Sequence, residues 1–326
     1  MKALITTVPF GSKNSLPLEM LENAGVEYLI NPTGNKLTEE TLANMVSDFD
    51  IIIAGTEPIT EKVMDCANNL KMISRVGIGL DGVDLLAAKR RGIQVSYTPD
   101  APAPAVAELT IGLMITLLRS VQLSNLQMHN GSWHRYFGRR IAETTIGIIG
   151  VGRIGTRVLN RLSAFGTPRL LVNDIAPNQE LNRKFKLEWV DKETIYREAD
   201  LISLHLPLTS KTKNMIRHEH LMMMKFDAIL MNTARGGIIN ESDLYDVMNN
   251  GHLSGASIDV FEEEPYKGQL RDIERCILTA HMGSMSIDCR TRMEIEATAE
   301  AIRFIKGESL EGLVPLAEYD VQREGL

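Results

Sequence analysis

Gly150-Val151-Gly152-Arg153-Ile154-Gly155 directly follows the apolar run Thr145–Ile149 and opens the helix-forming segment 156–164. A strand that turns on three glycines into a helix is the first half of a strand–helix–strand unit, and that unit needs a parallel sheet. Each glycine has a reason to be one. Gly150 permits the tight turn, Gly152 lets the backbone approach a pyrophosphate, and Gly155 lets the helix pack closely on the strand. Free N–H groups at the helix start face the phosphates, and Arg153 could neutralise pyrophosphate charge or merely pair on the surface. The next apolar run, 169–173, ends at Asp174, nineteen residues beyond Gly155. A carboxylate there accepts hydrogen bonds from both ribose hydroxyls and repels a 2′-phosphate, so NAD is expected rather than NADP.

Ile- and Val-rich runs recur on both sides of this motif. Before it they lie at 3–8, 27–30, 50–54, 71–76 and 93–97; after it at 169–173, 201–206, 228–232, 256–261 and 276–280. Segments of helical composition separate them, which predicts two doubly wound α/β domains with sheets covered on both faces. The three prolines of 98–104 disfavour helix and mark the link between domains, before a long apolar helix over 105–118. A closing helix is expected at 286–305, with Met293, Ala297, Ala301 and Phe304 inward and Gly307 as its stop.

Composition removes several function classes. A formal charge of -7 over 326 residues opposes binding to phosphate backbones and anionic lipid, so neither nucleic acid nor membrane is an expected partner. The apolar run 109–118 is half the length of a membrane span, and no targeting segment follows Met1, which favours the cytoplasm. Cys66, Cys276 and Cys289 are isolated, suggesting neither disulfides nor structural zinc, and no histidine cluster suggests a metal.

Six motifs stand in order: Ser74-Arg75-Val76-Gly77-Ile78-Gly79-Leu80-Asp81, Ala105-Val106-Ala107-Glu108-Leu109-Thr110, the glycine turn, Asn232-Thr233-Ala234-Arg235-Gly236-Gly237, Asp259 through Pro265, and Thr279-Ala280-His281-Met282-Gly283-Ser284. In this order they resemble the D-isomer-specific 2-hydroxyacid dehydrogenases, whose members include phosphoglycerate, glycerate, D-lactate and erythronate-4-phosphate dehydrogenases. The resemblance is strongest from Gly131 to Gly307. It implies a Rossmann NAD-binding domain, residues 101–285, inserted into a flavodoxin-like substrate domain, residues 1–100 and 286–326. It also implies a homodimer and a catalytic set of Arg235, Glu264 and His281.

Each residue of that set suits its implied task. A guanidinium holds a 2-hydroxy acid's carboxylate with forked charge-assisted bonds, which fits Arg235. Loss of hydride from C2 must be matched by loss of the hydroxyl proton, which an imidazole can take, making His281 the acid/base. Glu264, the glutamate directly before Pro265, would orient that ring; Glu262 and Glu263 are its near rivals. The resemblance places further cofactor contacts at His205, Leu206, Pro207, Thr233, Ala234, Asp259, Gly283 and Ser284. It gives the substrate Arg75 and the backbone of Val76 and Gly77.

Departures narrow the substrate. Glu143-Thr144-Thr145 replaces the family's usual Gly-Lys-Thr, and Ala280 replaces a proline before His281. Glu57 stands where phosphoglycerate enzymes commonly carry an arginine, and an acid there would oppose a phosphate. The chain ends soon after its closing helix, so no serine-sensing regulatory module is expected. The substrate is therefore read as of 3-phosphoglycerate or glyoxylate/hydroxypyruvate type. Formate dehydrogenase, with glutamine in place of Glu264, fits less well. An NAD-sensing corepressor-like binding protein of the same fold is the non-enzymatic alternative.

Overall fold

The computed structural model describes residues 1–323, so the last three residues of the expected substrate domain lie outside the described residues. Two compact units form, one from Met1–Pro102 with the segment from Met285 onward, the other from Ala103–Ser284.

In the first unit, β1 (Lys2–Ile5), β2 (Glu27–Ile30), β3 (Ile51–Ala54), β4 (Met72–Arg75) and β5 (Gln94–Tyr97) make one parallel sheet in the order β2-β1-β3-β4-β5. This is the flavodoxin-like order. All four residues of β3 are buried, as a central strand covered on both faces requires. Thr38, Thr60 and Asp84 each accept the amide three residues on and so start the helices at Glu39, Glu61 and Leu85, a contribution of about 1 kcal/mol each. The closing helix Ile287–Lys306 packs on the same unit, where Ser74 Oγ donates to Ala297 O at 2.7 Å. Met293, Ala297 and Ala301 are buried as expected, whereas Phe304 is only partly covered.

Glu57 does not present its charge to solvent. It is 2% exposed and closes the turn after β3, accepting the Thr6 hydroxyl and, at 2.9 Å, the Gly55 amide. The residue expected to repel a phosphate is thus a buried loop fastener.

The second unit holds β6 (Thr145–Ile149), β7 (Arg169–Asn173), β8 (Leu187–Trp189), β9 (Leu201–Leu204), β10 (Ile229–Asn232), β11 (Gly255–Ile258) and β12 (Cys276–Leu278), all parallel. Their order is β12-β11-β10-β9-β6-β7-β8, the Rossmann arrangement extended by one strand. β8 has no counterpart among the expected runs. It is a three-residue edge strand with a half-exposed pattern, too short to show a period. The long apolar helix begins at Ala103, not 105, because a proline in the first helical turn lacks only an N–H that has no partner there anyway. Among the described residues no single helix is long and apolar enough to cross a membrane.

Chain order reverses at β6, whose neighbours are β7 and β9. Register pairs Ile149 with both Asn173 and Leu204, so Gly150, Asp174 and His205, each one residue further on, emerge together at the carboxyl edge of the sheet. Open α/β sheets bind ligands at such a switch point.

Candidate active site

The glycine turn has the shape a pyrophosphate needs. Gly150 has φ +95°, and a Cβ on it would lie 2.7 Å from the His205 carbonyl carbon. A Cβ on Gly155 would strike the Gly150 carbonyl, so this residue sets how closely the helix Arg153–Leu162 approaches β6. Gly152 is different: nothing lies within 4 Å of its added Cβ, and as N-cap it brings no side chain to the helix start. Open space in front of uncapped helix amides fits the phosphates of NAD. Asp174 follows β7, accepting the Val151 amide at 2.7 Å and the Ala176 amide at 2.9 Å, so it also ties the glycine turn to the next strand.

His205 donates its backbone N–H to Ile149 O at 2.8 Å, and its Nε2 meets Ser203 Oγ at 3.0 Å. Its Nδ1 is buried with no partner in the protein, and burial pushes the imidazole from 6.5 down to about 4. Leu206 and Pro207 continue this segment past Gly150. Above pH 6.5 the ring is neutral folded or unfolded; below it, the unfolded chain takes up a proton that the folded chain resists. Stability therefore falls as pH drops from 6.5 toward 4, by about 2 kcal/mol by pH 5. Thermal melts at pH 7 and pH 5 should show a larger loss for the wild type than for His205→Gln; equal losses would remove His205 as the cause.

The loop after β10 is wired by its own side chains. Asn232 Nδ2 donates to Arg235 O at 2.8 Å and its Oδ1 accepts the Ala234 amide at 3.0 Å, closing a turn that sets Arg235. Thr233 shares a 3.0 Å hydroxyl contact with the buried Thr110 of the helix Ala103–Leu118. Arg235 Nη1 donates to Ala234 O at 2.6 Å. A Cβ on Gly236 would overlap the Phe261 carbonyl, so the arginine turn rests directly on the turn that carries Glu264.

Glu264 and His281 are together. The ring Nδ1 lies 3.0 Å from both carboxylate oxygens, and Glu264 Oε1 also accepts the Phe261 amide at 3.2 Å. Glu264 thus engages Nδ1 and not Nε2. His281 has φ +49°, a left-handed conformation that needs external support. Asp259 supplies it: its backbone carbonyl accepts the His281 amide at 2.8 Å, and its side chain accepts Thr279 Oγ1 at 2.6 Å and the Met282 and Gly283 amides at 2.9 Å each. Asp259 is 1% exposed, and desolvation pushes its carboxyl above the usual range. Ser284 ends this loop and the unit.

The residues expected to meet substrate from the first unit are placed there in a different state from the one sequence suggests. Arg75 is buried, with Nη1 curled onto Val76 O. The Val76 amide donates to Ala54 O at 2.9 Å and the Gly77 amide to Thr98 Oγ1 at 2.8 Å, so both amides already have acceptors. Sequence reasoning gave no role to Asn232, Thr110 and Thr279; their signal was an amide or hydroxyl at a strand end, or for Thr110 a hydroxyl within the apolar helix, which is too common to single out.

Residues 111–283 match the family described as D-isomer specific 2-hydroxyacid dehydrogenase, NAD binding domain. The chain is 35% identical to a hydroxypyruvate reductase of Thermotoga maritima, over 85% of this chain and 93% of that protein. It is equally identical to a D-3-phosphoglycerate dehydrogenase of Methanocaldococcus jannaschii, over 89% of this chain but 56% of that longer protein. The crystal structure of a Thermus thermophilus protein designated TT0316 superposes with a TM-score of 0.88 at 32% identity, covering 97% of this chain and all of that one. With an NAD-binding unit, a carboxylate–imidazole pair and these relatives, the chain belongs to the D-isomer-specific 2-hydroxyacid dehydrogenases and is an NAD-dependent oxidoreductase of 2-hydroxy and 2-keto acids.

Proposed function

We propose that the protein interconverts a D-2-hydroxy acid and its 2-keto acid, with His281 as acid/base, Glu264 orienting it and Arg235 holding the substrate carboxylate. The observation that carries this reading is the His281–Glu264 pair at 3.0 Å, which leaves Nε2 as the working nitrogen. NAD supplies the hydride acceptor when bound. In oxidation, His281 Nε2 takes the C2 hydroxyl proton while Glu264 stabilises the ring cation; in reduction the imidazolium returns a proton to the keto oxygen. Arg235 fixes the carboxylate and polarises the adjacent oxygen.

The second unit is the NAD-binding domain in this reading. Gly150, Gly152, Arg153, Ile154 and Gly155 cradle the pyrophosphate, and Asp174 takes the ribose. His205, Leu206, Pro207, Thr233, Ala234, Asp259, Gly283 and Ser284 complete the cofactor contacts. The first unit is the substrate domain, with Arg75 as its cation and Val76 and Gly77 beside it. The acid is of 3-phosphoglycerate or glyoxylate/hydroxypyruvate type, and Arg75 would serve it where it carries a phosphate. The helix Val121–His129 has no buried residue and exposes Val121, Leu126 and Met128, which supports a homodimer that covers it. A cytoplasmic enzyme with no nucleic-acid or membrane partner completes the reading. NADH oxidation with glyoxylate, hydroxypyruvate and phosphohydroxypyruvate tests it, turnover of at least one being the expected result.

A further inference from the structure

Glu241 is the first residue of the helix Glu241–Asn249, whose cap is Asn240. Helix-start glutamates commonly remain in water, where they complement the helix dipole. This one turns toward another loop: its Oε1 accepts the Glu262 amide at 2.7 Å, twenty-one residues away. The peptide it grips joins Phe261 to Glu262, and three parts of the site meet there. The Phe261 amide supports Glu264, the Phe261 carbonyl is the surface on which Gly236 and the Arg235 turn rest, and the Phe261 ring is stacked on Tyr266 with centroids 4.2 Å apart.

We propose that Glu241 is a positioning residue for the catalytic set, holding the 261–264 turn so that Glu264 faces His281 and the Arg235 turn has its seat. The proposal rests on the reading of Glu264 and His281 given above. Glu241 touches no reacting atom in this role. It acts through one charge-assisted hydrogen bond and through its field. The titratable groups it is coupled to are Glu262, Glu264 and Tyr266 on the neighbouring turn, with His281 one step further through Glu264, while Asp243 in the same first helical turn accepts the His218 amide instead. Burial raises the Glu241 carboxyl above its ordinary range, and the charges of Glu262 and Glu264 push in the same direction. A negative charge so close to other carboxylates helps the Glu264–His281 pair as a whole to hold a proton, so removing it weakens that hold.

The test uses the full chain with NADH and whichever 2-keto acid it turns over. Glu241→Ala removes the acceptor, and kcat should fall about ten- to a hundredfold, the worth of one charge-assisted hydrogen bond, with KM for NADH nearly unchanged. Glu241→Gln keeps an oxygen for the Glu262 amide but loses the charge. It should restore most of kcat, while the limb of the pH profile that belongs to the Glu264–His281 pair moves to lower pH. Wild-type kcat in Glu241→Ala, no recovery in Glu241→Gln, or an unmoved limb in Glu241→Gln would each overturn the proposal. If Glu241→Ala does not fold, the limb in Glu241→Gln decides. His281→Ala run alongside separates the failures: an active His281→Ala removes the underlying reading, whereas an inactive one beside a wild-type-like Glu241→Ala removes only this inference.

Discussion

His281→Ala lowers kcat for keto-acid reduction by about 10²–10⁴-fold, the range that a positioned general acid supplies. The reason is local. Nδ1 is committed to both oxygens of Glu264, which fixes the ring, and in the proposed reading Nε2 exchanges the proton. The loop survives the change, because its left-handed backbone is held by Asp259 through the 281 amide and the Met282 and Gly283 amides, none of which needs the imidazole. NADH affinity, read by fluorescence titration, should therefore stay close to that of the wild type. A variant that keeps wild-type kcat would take His281 out of the mechanism.

Arg235→Lys keeps the charge and loses the fork. Two parallel donors to a carboxylate become one point charge on a flexible stem, so kcat/KM for the keto acid should fall about 10- to 100-fold, mostly through KM. The backbone of the turn should hold, since Asn232 grips the 235 carbonyl and the 234 amide rather than the guanidinium. Steady-state kinetics with saturating NADH checks this. An unchanged KM for the keto acid would mean that Arg235 does not bind the carboxylate.

The chemistry of this protein was more legible in its sequence than the wiring behind it. Three glycines between an apolar strand and a helix have few uses, and Asp174 at the next strand end narrowed them to a dinucleotide. Fully buried runs such as 201–204 and 229–232 announced a covered parallel sheet because nothing in them alternates. Asp259 is another matter. As a residue in a recognised motif it was assigned to the cofactor, yet its side chain accepts three hydrogen bonds from residues 279–283, more than twenty positions away for Met282 and Gly283. Such long-range side-chain-to-backbone bonds leave no local pattern.

Glu57 failed for a related reason. A carboxylate after a strand reads as a solvent-facing charge, but the hydroxyl of Thr6 and the Gly55 amide supply enough hydrogen bonding to bury it. Val76 and Gly77 show the limit from the other side. Their backbone was expected to be available to a substrate, and only the fold reveals that Ala54 O and Thr98 Oγ1 already accept those amides.

The most direct test of the central claim is the configuration of the product. The protein is incubated with NADH and hydroxypyruvate, glyceric acid is separated on a chiral column, and His281→Ala is run in parallel. The account predicts that any glycerate formed by the wild type is the D form alone, with almost none from the variant. L-glycerate, a racemic product, or bound NADH that none of the keto acids oxidises would contradict it.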